Sequence, residues 1–197
     1  MARSRVVRVL VWTSAVLIAG FLALVVLDRV DLLTEGSAGG TSSMAPTLPP
    51  CNGRTIAEGF TYRFRDPHRG EIVVFHARGH IGGSFSPDPG SRQLAVNKRV
   101  IGVPGDTVSG HDGRVFVNGN KADDIVTEDG FPPVHLAPDQ YFLLGDNRSY
   151  SQDSRVFGPV DRRAIFARVV LIYYPFKRFG VPRYEKARTP PGPACGS

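Results

Sequence analysis

The chain has 197 residues, enough for one domain with appendages, and carries 24 basic against 18 acidic residues, a net charge of +6. Two cysteines and five scattered histidines do not make a structural metal site. No helix-turn-helix, zinc finger or RNA-binding motif accompanies the positive charge, so nucleic acid is not an expected partner.

Val9 to Leu27 runs without a charged residue, with Arg3, Arg5 and Arg8 before it and Asp28, Arg29 and Asp31 after it. That length suffices for a helix to cross the hydrocarbon core of a bilayer. The flanking arginines put the N-terminus in the cytoplasm and send the body across. A cleaved secretion signal is the alternative, but its apolar core is usually shorter and no clean small-x-small site follows. The expected organisation is a cytoplasmic N-terminus (1–8), a transmembrane anchor (9–27), a glycine-rich linker (28–40), one working domain (41–185) and a disordered tail (186–197).

From Arg54 onward the signals are those of strands. Phe60 to Phe64 alternates aromatic with polar residues, Glu71 to Phe75 is a short apolar run, and Leu94 to Val103 ends at the turn signal Pro104-Gly105. Arg114 to Val117 leads into Asn118-Gly119, a strong hairpin signal. Tyr141 to Leu144 and Ala167 to Tyr174 read as core strands, whereas Ala77 to Gln93 is a long polar loop. The helical period is absent from most of this region, so the fold class is mainly β, an antiparallel domain behind one transmembrane helix. Between Asp161 and Arg188 stand eight Lys or Arg and two acids, read as a solvated basic surface or as one facing an anionic bilayer. Cys51 and Cys195 could pair in an oxidising compartment, but sequence does not establish it.

Three polar islands interrupt the strands: Ser42 to Leu48, Asn97 to Asp106, and Gly145 to Gly158. A serine hydroxyl is a weak nucleophile and needs a base; lysine can serve if an apolar surround lowers its pKa. Lys98 shares a strand face with Val96 and Val100, which supplies such a surround, while Arg99 points the other way. Taken singly, each island has a plainer reading: a surface lysine, an ordinary serine, a rigid polar turn.

Together they carry a resemblance. SSMAPTL, RGEIVVF, NKRVIGVPGD and GDNRSYSQDSRVFG, in this order behind an apolar anchor, resemble the conserved boxes of bacterial type I signal peptidases. The resemblance implies a signal-peptidase-like antiparallel β fold and a serine–lysine dyad with Ser43 as nucleophile and Lys98 as base. It implies that Ser151 orients the lysine amine and that the Ser43 amide and the Thr41 hydroxyl form the oxyanion hole. Asp146, Arg148, Asp153, Arg155 and Arg99 brace the site by ion pairing, with Asp146 bound to Arg99 or Arg148. Met44 lines the substrate region, and Leu94, Ala95 and Val96 form a flanking strand for an extended peptide. The sequence departs from the family at Gly40-Thr41-Ser42, which replaces a more rigid approach to the nucleophile.

The implied reaction is removal of signal peptides from exported preproteins after small residues, without cofactor or metal, at the outer face of the cell membrane. The implied partners are preproteins, membrane lipid and, transiently, the export machinery. Alternatives are a specialised processing protease of the same kind, and an inactive membrane-tethered β domain that binds export partners. A soluble repressor-type autoprotease lacks the anchor, and a triad through His76 or His111 lacks any local motif.

Overall fold

A computed structural model describes residues 11–21, 33–37, 42–50, 52–77, 94–127 and 130–183, with only the backbone for 33–37 and 94. Helix α1 (11–21) covers the described part of the apolar run and is exposed on every side. Among the described residues no helix is long and apolar enough to cross a membrane.

Among the described residues eleven strands build two sheets, and every pairing is antiparallel. The larger sheet has the order β1 (Leu33–Ser37), β2 (Arg54–Glu58), β11 (Ile165–Tyr174), β3 (Ile72–Ala77), β4 (Leu94–Gly102), β9 (Gln140–Leu144), β10 (Val160–Asp161). The smaller has the order β7 (Asn120–Lys121), β6 (Arg114–Val117), β5 (Thr107–His111), β8 (Phe131–His135). A short helix, α2 (Ser154–Phe157), lies near the end of the third polar island.

Alternation along β3 fills both faces of the large sheet. Ile72 and Val74 join Met44, Leu48, Ala167, Val169 and Ile172 on one side. Val73 and Phe75 join Tyr62, Val100, Tyr141, Leu143 and Ile165 on the other. A third cluster, with Ile101, Val108, Val115, Leu136, Phe142 and Leu144, seals the small sheet against the ends of β4 and β9. The Asn118-Gly119 turn forms as its residues demand, with φ of 52° and 79°, the left-handed pair that a tight hairpin needs.

Two local expectations change. Phe60 to Phe64 is not a strand: Thr61–Arg63 is a 3-10 turn, closed by Tyr62 N–H to Gly59 O at 3.2 Å and by Thr61 N–H to the Glu58 carboxylate at 2.9 Å. As a strand it would turn all three aromatics to one face; the turn buries Tyr62 and leaves Phe60 and Phe64 outside, edge to face at 4.9 Å. Leu33–Ser37, inside the stretch read as a linker, pairs with β2 as the outer strand of the large sheet. The 78–93 loop, Cys51, Cys195 and the 186–197 tail lie outside the described residues.

Candidate active site

The pairing of β4 with β9 brings two of the three islands together. Arg99 stands opposite Leu144, so the chain leaving β9 at Gly145 runs beside Lys98 on the neighbouring strand. The Ser43 turn docks onto this corner. Asn147 N–H donates to Ser43 O at 3.0 Å, and Asn147 Nδ2 donates to Ser42 O at 3.1 Å. Ala45 N–H closes the turn on Ser42 O at 3.0 Å. A trans peptide plane points its C=O and N–H in opposite directions. Fixing Ser42 O therefore fixes the direction of the Ser43 N–H.

Lys98 Nζ lies 2.7 Å from Ser43 Oγ, in hydrogen-bond contact. Lys98 is 2% exposed and stands opposite Val73 on β3. Burial pushes its pKa down to about 8; Asp153 and Asp146 oppose that fall and Arg155 adds to it. The pair is thus a hydroxyl in contact with an amine whose proton leaves far more readily than that of a solvated lysine.

Around the pair, the charged residues of the third island form three separate braces. Arg99 holds Asp146 through both carboxylate oxygens, at 2.8 and 2.7 Å, and reaches Gly70 O at 2.6 Å. This selects Arg99 over Arg148 as the partner of Asp146. Arg155 grips Asp153 at 2.8 and 3.0 Å, while Asp153 also accepts from Gly145 N–H at 3.0 Å. Arg148 reaches into the small-sheet region, donating to Gly145 O at 3.0 Å, to Thr127 Oγ1 at 3.0 Å and to Asp123. In the RGEIVVF box, Glu71 accepts from Arg65, His68 N–H and Tyr62. Burial alone would raise its pKa, and these bonds hold it at about 2.

The expected Ser151–Lys98 hydrogen bond is not formed. Ser151 Oγ is buried without a hydrogen-bond partner, because Lys98 turns to Ser43 instead. Ser151 nevertheless packs over Gly145 beside the nucleophile turn: a Cβ on Gly145 would come within 2.2 Å of Ser151 Oγ and 2.6 Å of Ser43 O. Gly145→Ala must push apart the backbone of two islands, and we expect it to lower kcat/KM about a hundredfold or more. Steady-state cleavage with circular dichroism as a folding control checks this, and a variant with wild-type kinetics would contradict it.

Met44 lies in the core cluster at 4% exposure, under the Ser43 turn. β9 pairs with β4 only over 99–102, so among the described residues the edge of Leu94 to Asn97 away from β3 carries no strand. Ala95 is exposed there and Val96 half-buried. Thr41 lies outside the described residues. The two candidate histidines are engaged elsewhere: His111 stacks on Phe116 at 4.0 Å, and His76 on Phe166 at 4.3 Å. Sequence reasoning missed the clamp made by Asn147 and the grip of Asp123 and Thr127 on Arg148. Asn147 stands inside a quoted motif, but neither Asp123 nor Thr127 carries a local signal.

Comparison with known proteins places the chain among relatives. Residues 9–174 match the family described as signal peptidase, peptidase S26. A probable signal peptidase I-2 of a Synechocystis strain is 41% identical over 72% of this chain, and the alignment spans 63% of that protein's length. A signal peptidase I of Bacillus caldolyticus is 31% identical over 85% of this chain and 91% of its own. A solved signal peptidase I from Enterococcus faecalis aligns with 51% of this chain and 94% of its own at 28% identity, with a TM-score of 0.38. On sequence and motif together, the chain belongs to the signal peptidase, peptidase S26 family.

Proposed function

We propose that this protein is a type I signal peptidase, a serine endopeptidase that removes signal peptides from exported preproteins after small residues. The observation that carries the reading is the 2.7 Å contact between Ser43 Oγ and a buried Lys98 Nζ. With Lys98 neutral, the Ser43 hydroxyl donates to it. As Ser43 attacks the scissile carbonyl, Lys98 takes the proton and then delivers it to the leaving amine, leaving an acyl-enzyme. Water, deprotonated by the same amine, attacks the ester; the proton returns to Ser43 as the peptide acid departs.

The Ser43 N–H supplies one oxyanion donor, held in direction by the anchoring of Ser42 O on Asn147 and Ala45. Thr41 supplies the second. When Ser43 becomes acylated, Lys98 loses its hydroxyl partner, and the unpartnered Ser151 hydroxyl takes over its orientation. Arg99, Asp146, Arg148, Asp153 and Arg155 hold this frame. The preprotein adds as a strand along the open edge of Leu94 to Asn97, with Ala95, Val96 and Met44 bounding the pockets for small side chains.

Val9 to Leu27 anchors the protein in the cell membrane in a single pass, N-terminus inside, with the catalytic domain (41–185) outside. The all-round exposure of apolar α1 supports this.

Cleavage of an alanine-x-alanine preprotein in detergent, with cut sites read by mass spectrometry, tests the mechanism. Ser43→Ala and Lys98→Ala should each lose specific cutting, and Ser151→Ala should lower kcat more than it raises KM. Wild-type kcat/KM should rise with pH around a midpoint near 8, where Lys98 loses its proton. Activity surviving in either dyad variant would sink the mechanism.

A further inference from the structure

The segment after β11 folds back and touches the turn that bears Ser43. Ile172 and Gly180 exchange backbone hydrogen bonds at 2.8 and 3.0 Å, with a knuckle between them closed by Arg178 N–H to Pro175 O at 2.8 Å. From this knuckle Arg178 Nη2 donates to Thr47 O at 3.1 Å. Thr47 ends the same turn, one residue before the Leu48 N–H that bonds Met44 O at 2.9 Å.

A cavity of about 410 Å³ opens between Thr47 and the knuckle, walled by Lys177, Arg178, Arg183, Phe179 and Val181, with no carboxylate among the described residues of its lining. Thr47 is 0% exposed, yet its hydroxyl has no hydrogen-bond partner. The three cations Lys177, Arg178 and Arg183 on one wall call for an anion with several acceptor oxygens. The lining adds a second demand: Phe179 and Val181 are 64% and 69% exposed, and Phe176 in the same knuckle is 79% exposed. Apolar side chains mixed with Lys and Arg suit the boundary between headgroups and acyl chains.

We propose that this cavity binds the phosphate headgroup of an anionic phospholipid, and that the bound lipid steadies the Ser43 turn through Thr47 and Arg178. The inference rests on the membrane attachment proposed above. A free phosphate ion has the same oxygen chemistry, but it gives no use to the apolar lining.

The test uses the full chain in nanodiscs of phosphatidylcholine, with and without phosphatidylglycerol. Backbone hydrogen exchange is read over 42–48 and 175–183, and preprotein cleavage is measured in parallel. Phosphatidylglycerol should slow exchange in both segments and raise kcat/KM about fivefold or more. The double variant Lys177→Gln/Arg183→Gln should lose both effects while matching wild type in pure phosphatidylcholine. The charge-matched control Arg63→Gln/Arg163→Gln should keep them.

Equal exchange in the two lipids would overturn the proposal. So would equal loss in the control, which would mean diffuse attraction, or equal protection by inorganic phosphate in pure phosphatidylcholine. A protein that cleaves nothing yet shows the lipid-specific protection would sink the peptidase reading and leave the lipid site standing.

Discussion

Lys98→Met is expected to abolish cleavage while making the folded protein more stable at neutral pH. The two effects have one origin. Lys98 is 2% exposed, and burial holds its pKa at about 8 against 10.5 for a free lysine. At pH 7 the folded protein must therefore carry a buried ammonium, at a cost of about 3 kcal/mol. The sign follows from proton counts. Below pH 8 both folded and unfolded states are protonated and the penalty is full. Between about 8 and 10.5 the unfolded lysine keeps its proton while the folded one has lost it, so stability rises with pH. Methionine fills similar space without charge and removes the penalty, less a smaller loss because Ser43 no longer has its partner. The net gain should be about 2 kcal/mol at pH 7 and vanish as pH approaches 10.5. Activity should fall at least about a thousandfold, since the proton acceptor is gone. Denaturant unfolding at several pH values checks the stability, and a variant less stable than wild type at pH 7 would overturn the account.

Asp153→Asn should act in the opposite direction on stability and through space on the base. Asp153 is 0% exposed, and its two oxygens accept from Arg155 and from Gly145 N–H. An asparagine of the same shape presents an NH₂ group to one set of these donors and leaves the Arg155 guanidinium without its counter-charge. The loss should be about 3 kcal/mol. The Asp153 carboxylate also supports the charged form of Lys98, while Arg155 opposes it. With the carboxylate neutralised, the lysine should lose its proton at lower pH, and the acid limb of the kcat/KM profile should move below 8. Thermal unfolding and a pH–rate profile on the same preparation separate the two consequences. An unmoved acid limb would show that Asp153 acts on structure alone.

Much of the site was legible because its chemistry is written locally. Lys98 sits between Val96 and Val100, and the strand period by itself turns it into the interior. Asn118-Gly119 announces its hairpin through residues that tolerate positive φ. Gly145 ends β9 where the sequence changes from apolar to polar. What failed to show were relations made only in three dimensions. Phe60, Tyr62 and Phe64 mimic a strand, yet the Glu58 carboxylate and Gly59 carbonyl close them into a turn. The choice of Arg99 over Arg148 for Asp146 depends on which side of β4 faces the end of β9. Asp123 and Thr127 have no motif because their task is to receive a guanidinium from a residue more than twenty positions away. Ser151 was found in the right neighbourhood, but the bond expected of it depends on where Lys98 turns.

The reach of Arg148 across the two sheets has a consequence for how the protein comes apart. Its guanidinium ties the Gly145 carbonyl to Asp123 and Thr127, and Thr127 N–H is itself held by Gly113 O at 3.0 Å. A local opening of the 113–127 segment cannot stay local, because it strips a buried cation of its partners one residue from the Asn147 clamp. Two sheets therefore make one cooperative unit. The corner that holds the reacting pair draws part of its rigidity from a stretch of chain that contributes no reacting group.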